Sequence, residues 1–304
     1  MMKKVYFILP IISVFLLLTF SCNNDDGGND LTIELRDRGE EAISAAEDIE
    51  EFLETHFYNY EEFENPPAGF DFIIKFDTID GDNALKIPLI EQVSSKTVKD
   101  RVEDDLTYTL YYLNVIQGEG DETTFPDVAT VSYEGMFLDD RVLFDGSVTP
   151  ITFDLTLLIN GLQDALIEFN GSTGFITNPD GTVSFEDYGV GAVFIPSGLG
   201  YFANPPPTGS IPSYSQLIFT FQLYLVEVGD QDGDGVISII EDLNGNGIEE
   251  DDDTDEDFIP NYADIDDDGD GRLTRDEIEI DANGNVTFPD VDGDGIPDYL
   301  DPDS

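Results

Sequence analysis

The sequence predicts an α+β fold: an antiparallel sheet carrying one short helix, preceded by a helix-containing N-terminal region and followed by a helix-poor acidic tail. Three observations predict it. Runs of β-formers recur between residues 70 and 228. Only one short stretch among them, Leu157–Phe169, has helical spacing. At Gly229 the composition breaks, and beyond it the basic residues are Arg272 and Arg275 alone. Strand runs with few helices between them argue an antiparallel sheet with its helix segregated to one face.

The chain has 304 residues, 40% hydrophobic and 12% aromatic, with a formal net charge of −55. Domains hold roughly 100–200 residues, so two domains plus appendages are expected. The charge repels nucleic acid and anionic membrane surfaces, which excludes nucleic acid as a partner. It points to cations, the alternative being acids that merely solvate a disordered tail.

The first residues read as a targeting segment. Lys3 and Lys4 are followed by an apolar run from Val5 to Phe20, then Ser21-Cys22 and the polar stretch Asn23–Gly28. The run is short for a membrane span and fits a signal peptide over 1–21. Cys22 is the sole cysteine, so it has no internal disulfide partner. Leu18-Thr19-Phe20-Ser21-Cys22 resembles the lipobox of bacterial lipoproteins. That resemblance implies lipidation at Cys22 and an exported protein anchored to a bacterial membrane by acyl chains, at the outer membrane, facing the periplasm or the surface. The alternative is an ordinary signal peptide with an incidental cysteine. Residues 22–33 are expected to be a flexible tether.

From Leu31 to about Phe57 the spacing turns helical, with Ile43, Ala46, Ile49 and Leu53 as the apolar stripe and Glu47, Asp48, Glu50 and Glu51 on the wet face. Pro66-Pro67-Ala68-Gly69 ends any helix. Phe70 to Lys75 alternates as a strand would, before a turn at Asp80-Gly81-Asp82, and Lys86–Val93 is a further candidate. These make up an N-terminal region, 34–105. In the next region, 106–228, Leu106–Ile116, Val128–Phe137, Ile151–Leu155, Gly191–Pro196 and Leu217–Val228 read as strands. Leu157–Phe169 reads as the helix.

The tail, 229–304, repeats the pattern D-x-D-x-D-G with an acid at the twelfth place. Calcium takes roughly 6–8 oxygen ligands at about 2.3–2.6 Å. Carboxylates at loop positions one, three and five converge on one ion, Gly at six allows the turn, and an acid at twelve closes the shell. Asp230, Asp232, Asp234 and Glu241 form one such set, and Asp266, Asp268, Asp270 and Glu277 a second. Asp290, Asp292, Asp294, Asp298 and Asp301 keep the spacing, and Asp242, Asn244, Asn246, Gly247, Glu250 and Asp253 are a weaker copy. Asp253–Asp264 also aligns with Asp290–Asp301 through a shared Ile-Pro-Asn/Asp-Tyr. The alternative is a disordered acidic spacer. The spacers contain Gly, Asn and Pro and are too short for paired EF-hand helices, and the row resembles the thrombospondin type 3 repeat family. Calcium ions are therefore the expected structural cofactor, supplying folding energy that the few apolar residues do not.

Residues from about 108 to 228 resemble the FKBP-type peptidyl-prolyl isomerase family through motifs in order. They are Val131-Ser132-Tyr133-Glu134-Gly135, Val142-Leu143-Phe144-Asp145-Gly146-Ser147, Pro150-Ile151-Thr152-Phe153, Leu158-Ile159-Asn160-Gly161-Leu162, Ile195–Tyr201 and Ile211–Phe219. The resemblance implies an FKBP-like sheet wrapped on the helix and a shallow apolar pocket for proline. Tyr133, Phe144, Ile151, Leu158, Ile159, Leu162, Ile211 and Phe219 would line it, with Leu162 as floor. Tyr201 would donate its hydroxyl to a substrate carbonyl, the Ile159 N–H would hold a second carbonyl, and Asp145 would orient the rim. Leu162 stands where the family usually has Trp, Ile151 replaces an aromatic, Phe202 stands where Gly is common, and 171–188 is an insertion. Two functions follow from the resemblance. One is a prolyl isomerase that needs no cofactor for catalysis and acts on proline-containing polypeptides. The other is a non-catalytic binding module on a calcium-stiffened tail.

Overall fold

The computed structural model describes residues 35–207 and 211–304. The signal-peptide and lipidation expectations, including Cys22, fall outside the described residues. Helix α1 spans Arg38–Thr55 and is followed by β1 (His56–Tyr58), α2 (Tyr60–Glu64), β2 (Phe76–Thr78), β3 (Ser94–Lys99) and β4 (Thr107–Ile116). Then come β5 (Val128–Phe137), β6 (Leu143–Asp154), α3 (Asn160–Leu166), β7 (Gly174–Thr177), β8 (Val183–Glu186), β9 (Gly189–Ile195) and β10 (Leu217–Glu227). The fold is α+β. Six strands form one antiparallel sheet in the order β3-β4-β9-β10-β5-β6.

Side chains alternate across a strand, so each strand feeds two faces. On one face Val131, Val193, Ile195, Phe219 and Phe221 pack against Leu162, Ala165 and Leu166 of α3. On the other, Leu113, Ala192, Phe194 and Ile218 pack against Ile49, Phe52 and Leu53 of α1, with Ile74 and Leu89. Both faces are covered. That explains why all seven residues of β9 are buried and why it reads as a continuous apolar run, without alternation.

Helix α1 is shorter than the expected 31–57 run, starting where the Asp37 side chain accepts from the Glu40 N–H at 2.9 Å. Its buried stripe is Glu41, Ala45, Ile49, Phe52 and Leu53, and Ile43 is 65% exposed. At about 100° per residue, six residues place Ile43 roughly 120° around the helix from Ile49, off the buried face.

Two expected strands take other forms. Residues 70–75 have no strand pairing, and Phe72 has φ +56. Leu89–Glu91 is a 3-10 turn, and pairing begins only at Ser94. The 171–188 insertion contains the β7–β8 hairpin.

From Arg36 to Ser304 the chain packs as one compact unit. The expected boundaries at 105/106 and 228/229 fall inside it. β3 pairs with β4 across the first. Across the second, the Gly229 N–H donates to Asp127 Oδ1 at 3.2 Å. The tail contains short 3-10 turns, one four-residue helix, α4 (Thr274–Glu277), and a ladder of β11 (Glu279–Ile280) with β12 (Val286–Thr287). Among the described residues no helix is long and apolar enough to cross a membrane.

Candidate functional site

The sheet face that meets α3 opens at one end into a shallow aromatic pocket. Tyr133 projects from β5 and Phe219 lies diagonally across on β10, their rings stacked at 6.3 Å. Phe144 of β6 meets Phe219 edge-on at 5.7 Å. These rings approach closely because position 135 has no Cβ. One placed there would lie 2.8 Å from the Phe219 ring and 2.9 Å from the Phe144 ring. Gly161 plays the same part for α3, where a Cβ would lie 2.5 Å from Ile195.

Leu162 is 6% exposed and lies beneath the rings. With Tyr133, Phe153, Phe219 and Phe221 it bounds a gap of about 10 Å³, at the lower limit for one water. The floor beneath the rings is closed. Leu158, Ile159, Tyr201 and Ile211 are half-buried and pack against the same core.

The polar groups stand at the rim. The Tyr133 hydroxyl donates to Asp145 Oδ2 at 2.8 Å. Burial and then the Asp145 carboxylate push the Tyr133 pKa up. Burial and the same carboxylate raise that of Tyr201, so both phenols stay protonated donors. Among the described residues the Tyr201 hydroxyl has no hydrogen-bond partner. The Ile159 carbonyl accepts from the N–H groups of Leu162 and Gln163 at 2.9 and 3.2 Å, while its own N–H makes no backbone hydrogen bond among the described residues.

Helix α1 holds the Tyr201 loop from behind. Ser197 Oγ donates to Glu41 Oε1 at 3.0 Å, and Arg38 Nη2 donates to the Gly198 carbonyl at 3.1 Å. Phe202 has φ +47, a left-handed conformation that favours glycine. Here a Phe is held in it by the Arg38 guanidinium, 4.4 Å from the ring centre, and by Tyr214 at 5.0 Å.

Nine of the ten expected pocket residues therefore lie together. Ile151 differs. It pairs with Val131 on the edge strand but does not pack against the pocket's core. Between them and the Tyr133–Ser147 pair the register shifts, and residues 148–150 loop out of the ladder. Phe153, two places on, supplies the aromatic contact, edge-on to Tyr133 at 5.1 Å. Phe137 adds another ring, 5.0 Å from Phe144. The alternation of β5 and β6 carried the signal for both residues.

A second arrangement occupies the tail. Carboxylate oxygens converge within 4.8 Å at positions one, three and five of four loops: Asp230/Asp232/Asp234, Asp253/Asp255/Asp257, Asp266/Asp268/Asp270 and Asp290/Asp292/Asp294. In the second group Asp253 was expected only as the closing acid of the weaker copy, and Asp255 and Asp257 were not named as ligands. The loops share a brace between positions two and nine. The Gln231 N–H meets Ser238 Oγ, Thr254 N–H meets Asn261 Oδ1, Asp267 N–H meets Thr274 Oγ1, and Val291 N–H meets Asp298 Oδ1. Asp298 thus serves as a brace and joins none of these groups. Glu277 Oε1 lies 2.7 Å from Arg272 Nη1. Asp301 Oδ2 is buried without a hydrogen-bond partner.

Positions four and six have positive φ throughout, as in Gly293 (+81) and Gly295 (+103). In the Asp253 loop the same places hold Glu256 (+62) and Phe258 (+77), matching the alignment of the two repeats.

Several carboxylate oxygens are buried with no hydrogen-bond partner, among them both oxygens of Glu241 and one each of Asp232, Asp234, Asp266, Asp267 and Asp268. Burial raises the pKa of Glu241 to about 10, of Asp267 to about 8, of Asp232 to about 7 and of Asp234 to about 6. Uncompensated buried charges protonate or take a cation. An all-oxygen, carboxylate-rich set of this kind fits calcium.

The fold and pocket define an α+β protein with an apolar, aromatic-walled surface and hydroxyl donors at its rim, extended by an acidic loop array. A family model described as BamM C-terminal matches residues 231–289, the acidic array. No curated protein matches the chain. Among solved structures it is similar to a peptidyl-prolyl cis-trans isomerase from Pseudomonas syringae pv. tomato, at 17% identity over 61% of this chain and 96% of that one, with a TM-score of 0.34. It is also similar to FkpA from Escherichia coli, at 20% identity and a TM-score of 0.34, over 62% of this chain and 63% of FkpA, under two thirds of that protein's length.

Proposed function

We propose that the chain is an exported, lipid-anchored peptidyl-prolyl cis-trans isomerase that assists protein folding outside the cytoplasm and has a calcium-binding tail. One observation carries the reading: Tyr133, Phe144 and Phe219 converge above Leu162 with Tyr201 and Asp145 at the rim.

Rotation about an X–Pro bond faces a barrier of about 18–20 kcal/mol, because resonance holds the amide planar. Twisting the imide breaks that resonance and makes it less polar. An apolar surface therefore favours the twisted state over the planar one. The proline ring would lie on the rings above Leu162. The Tyr201 hydroxyl and the Ile159 N–H are donors for carbonyls of the bound segment. Asp145 orients Tyr133 by accepting a hydrogen bond from its hydroxyl. No covalent step is required.

The unpartnered carboxylate oxygens support calcium in the tail. Calcium there is structural, and the pocket residues lie in a different part of the chain. Export and lipidation rest on the order Lys3-Lys4, apolar run, Ser21-Cys22.

The closed floor at Leu162 supports a second reading, a module that binds proline segments without turning them over. Exchange spectroscopy on a proline peptide separates the two. Isomerase activity predicts cis–trans exchange faster than in peptide alone, lost in the Tyr201→Phe/Asp145→Ala double variant. Binding with unchanged exchange supports the module.

A further inference from the structure

The acidic array contains a fifth cluster that no single loop supplies. Asp234 and Glu241 belong to the first loop, while Asp267 occupies position two of the loop that begins at Asp266. Their ligand oxygens lie within 4.8 Å of one another. The three residues are 3%, 1% and 1% exposed. Both Glu241 oxygens, Asp234 Oδ2 and Asp267 Oδ1 are buried without a hydrogen-bond partner. Among the described residues no ion pair reaches any of the three, and Arg272 is engaged with Glu277. Three buried carboxylates held together take up protons or a compensating cation.

We infer that Asp234, Glu241 and Asp267 bind one divalent cation of the calcium type, in a site split between two loops. This rests on the reading of the tail as a cation-binding array. It adds that the site in the first loop is incomplete without the second. Asp267 is not among the carboxylates that converge within its own loop, Asp266, Asp268 and Asp270, and groups instead with Asp234 and Glu241 of the first loop. Its other oxygen, Oδ2, accepts from Thr274 Oγ1 at 2.9 Å, which leaves Oδ1 for the cation. The ion would thus staple 230–241 to 266–277 across the intervening loop. The first loop is in turn bonded to the sheet region through Gly229 and Asp127, so the staple ties the second loop to the folded body.

The test is a calcium titration of the full chain followed by calorimetry and native mass spectrometry. Asp267→Asn keeps an acceptor for Thr274 but removes a charged ligand. Glu241→Gln removes a charged ligand from the other loop. Each is expected to weaken one site at least tenfold and leave the others unchanged, and the double variant to lose no further site. Thr274→Val, which removes the brace and leaves the ligand, is expected to retain the site. Asp276→Asn, an exposed acid outside every cluster, controls for net charge. Normal stoichiometry and affinity in Asp267→Asn, beside a lost site in Glu241→Gln, would overturn the split site while leaving the array reading intact. Loss in Thr274→Val equal to that in Asp267→Asn would reduce Asp267 to a brace and also overturn it. Absence of calcium binding in the unaltered chain would overturn the array reading itself.

Discussion

The Tyr133 hydroxyl donates to Asp145 Oδ2 at 2.8 Å, joining the two strands that wall the pocket. The bond sits at the solvent rim, where Asp145 is exposed. It orients the ring more than it stabilises the fold. Tyr133→Phe keeps the stacking on Phe219 and removes only this bond. A hydrogen bond of this kind contributes about 1 kcal/mol, which corresponds to roughly a fivefold change in rate. Turnover of a proline peptide should fall by no more than that order, and urea unfolding should show a stability loss of no more than about 1 kcal/mol.

Gly135 lets the Phe144 and Phe219 rings meet. In Gly135→Ala the added methyl would lie within 2.9 Å of both rings. Overpacking costs about 1–3 kcal/mol, and chemical denaturation should show a loss of this size. Gly174→Ala, with nothing within 4 Å of its Cβ, is the control and should be near neutral.

The Tyr201 loop is tied to α1 through Ser197. Ser197 is fully buried and donates to Glu41, itself 3% exposed. Ser197→Ala leaves the Glu41 carboxylate one donor short, at a cost of about 1–3 kcal/mol. Thermal unfolding should register that loss, and isomerase turnover should fall although Ser197 touches no substrate.

The pH response of the ion-free tail has a definite sign. Glu241, Asp267, Asp232 and Asp234 have folded-state pKa values raised to between about 6 and about 10. Unfolded carboxyls titrate near 4. Between those limits the folded state binds more protons, so stability is fully present below about pH 4 and is lost as pH rises through the folded values. Chelated protein should show more amide protection in 230–277 at pH 5 than at pH 8, and calcium should restore protection at pH 8. Greater protection of the chelated tail at pH 8 would contradict this.

Phe258 is 95% exposed at φ +77. A left-handed L-residue costs about 1–2 kcal/mol, partly offset by glycine's own entropy cost of about 0.5–1 kcal/mol. Phe258→Gly should therefore stabilise the calcium-loaded tail by about 0.5–1 kcal/mol in thermal unfolding.

Much of this was legible in the residues. Val128–Phe137 and Leu217–Glu227 are runs of β-formers, and the sheet follows them closely. The ordered motifs bring Tyr133, Phe144, Asp145, Leu162, Tyr201 and Phe219 to one place. Features set by packing between distant segments were not legible. Ile43 is apolar but lies off the buried stripe, and nothing local distinguishes it from Ile49. The cover that α1 gives to Phe194 joins residues far apart in sequence. Asp267 looks like a spacer until the second loop folds beside the first. Ile151 occupies the place of a pocket aromatic, yet the register shift on β6 gives the ring contact to Phe153.

On the proposed reading, the surface above Leu162 turns prolyl bonds. The most direct test is the cis-to-trans rate of a proline peptide with the chain from Cys22 to Ser304, with calcium present. Catalysis that rises linearly with protein concentration and disappears in the Tyr201→Phe/Asp145→Ala variant is predicted. A rate equal to that of the peptide alone, in protein shown to be folded, would contradict it.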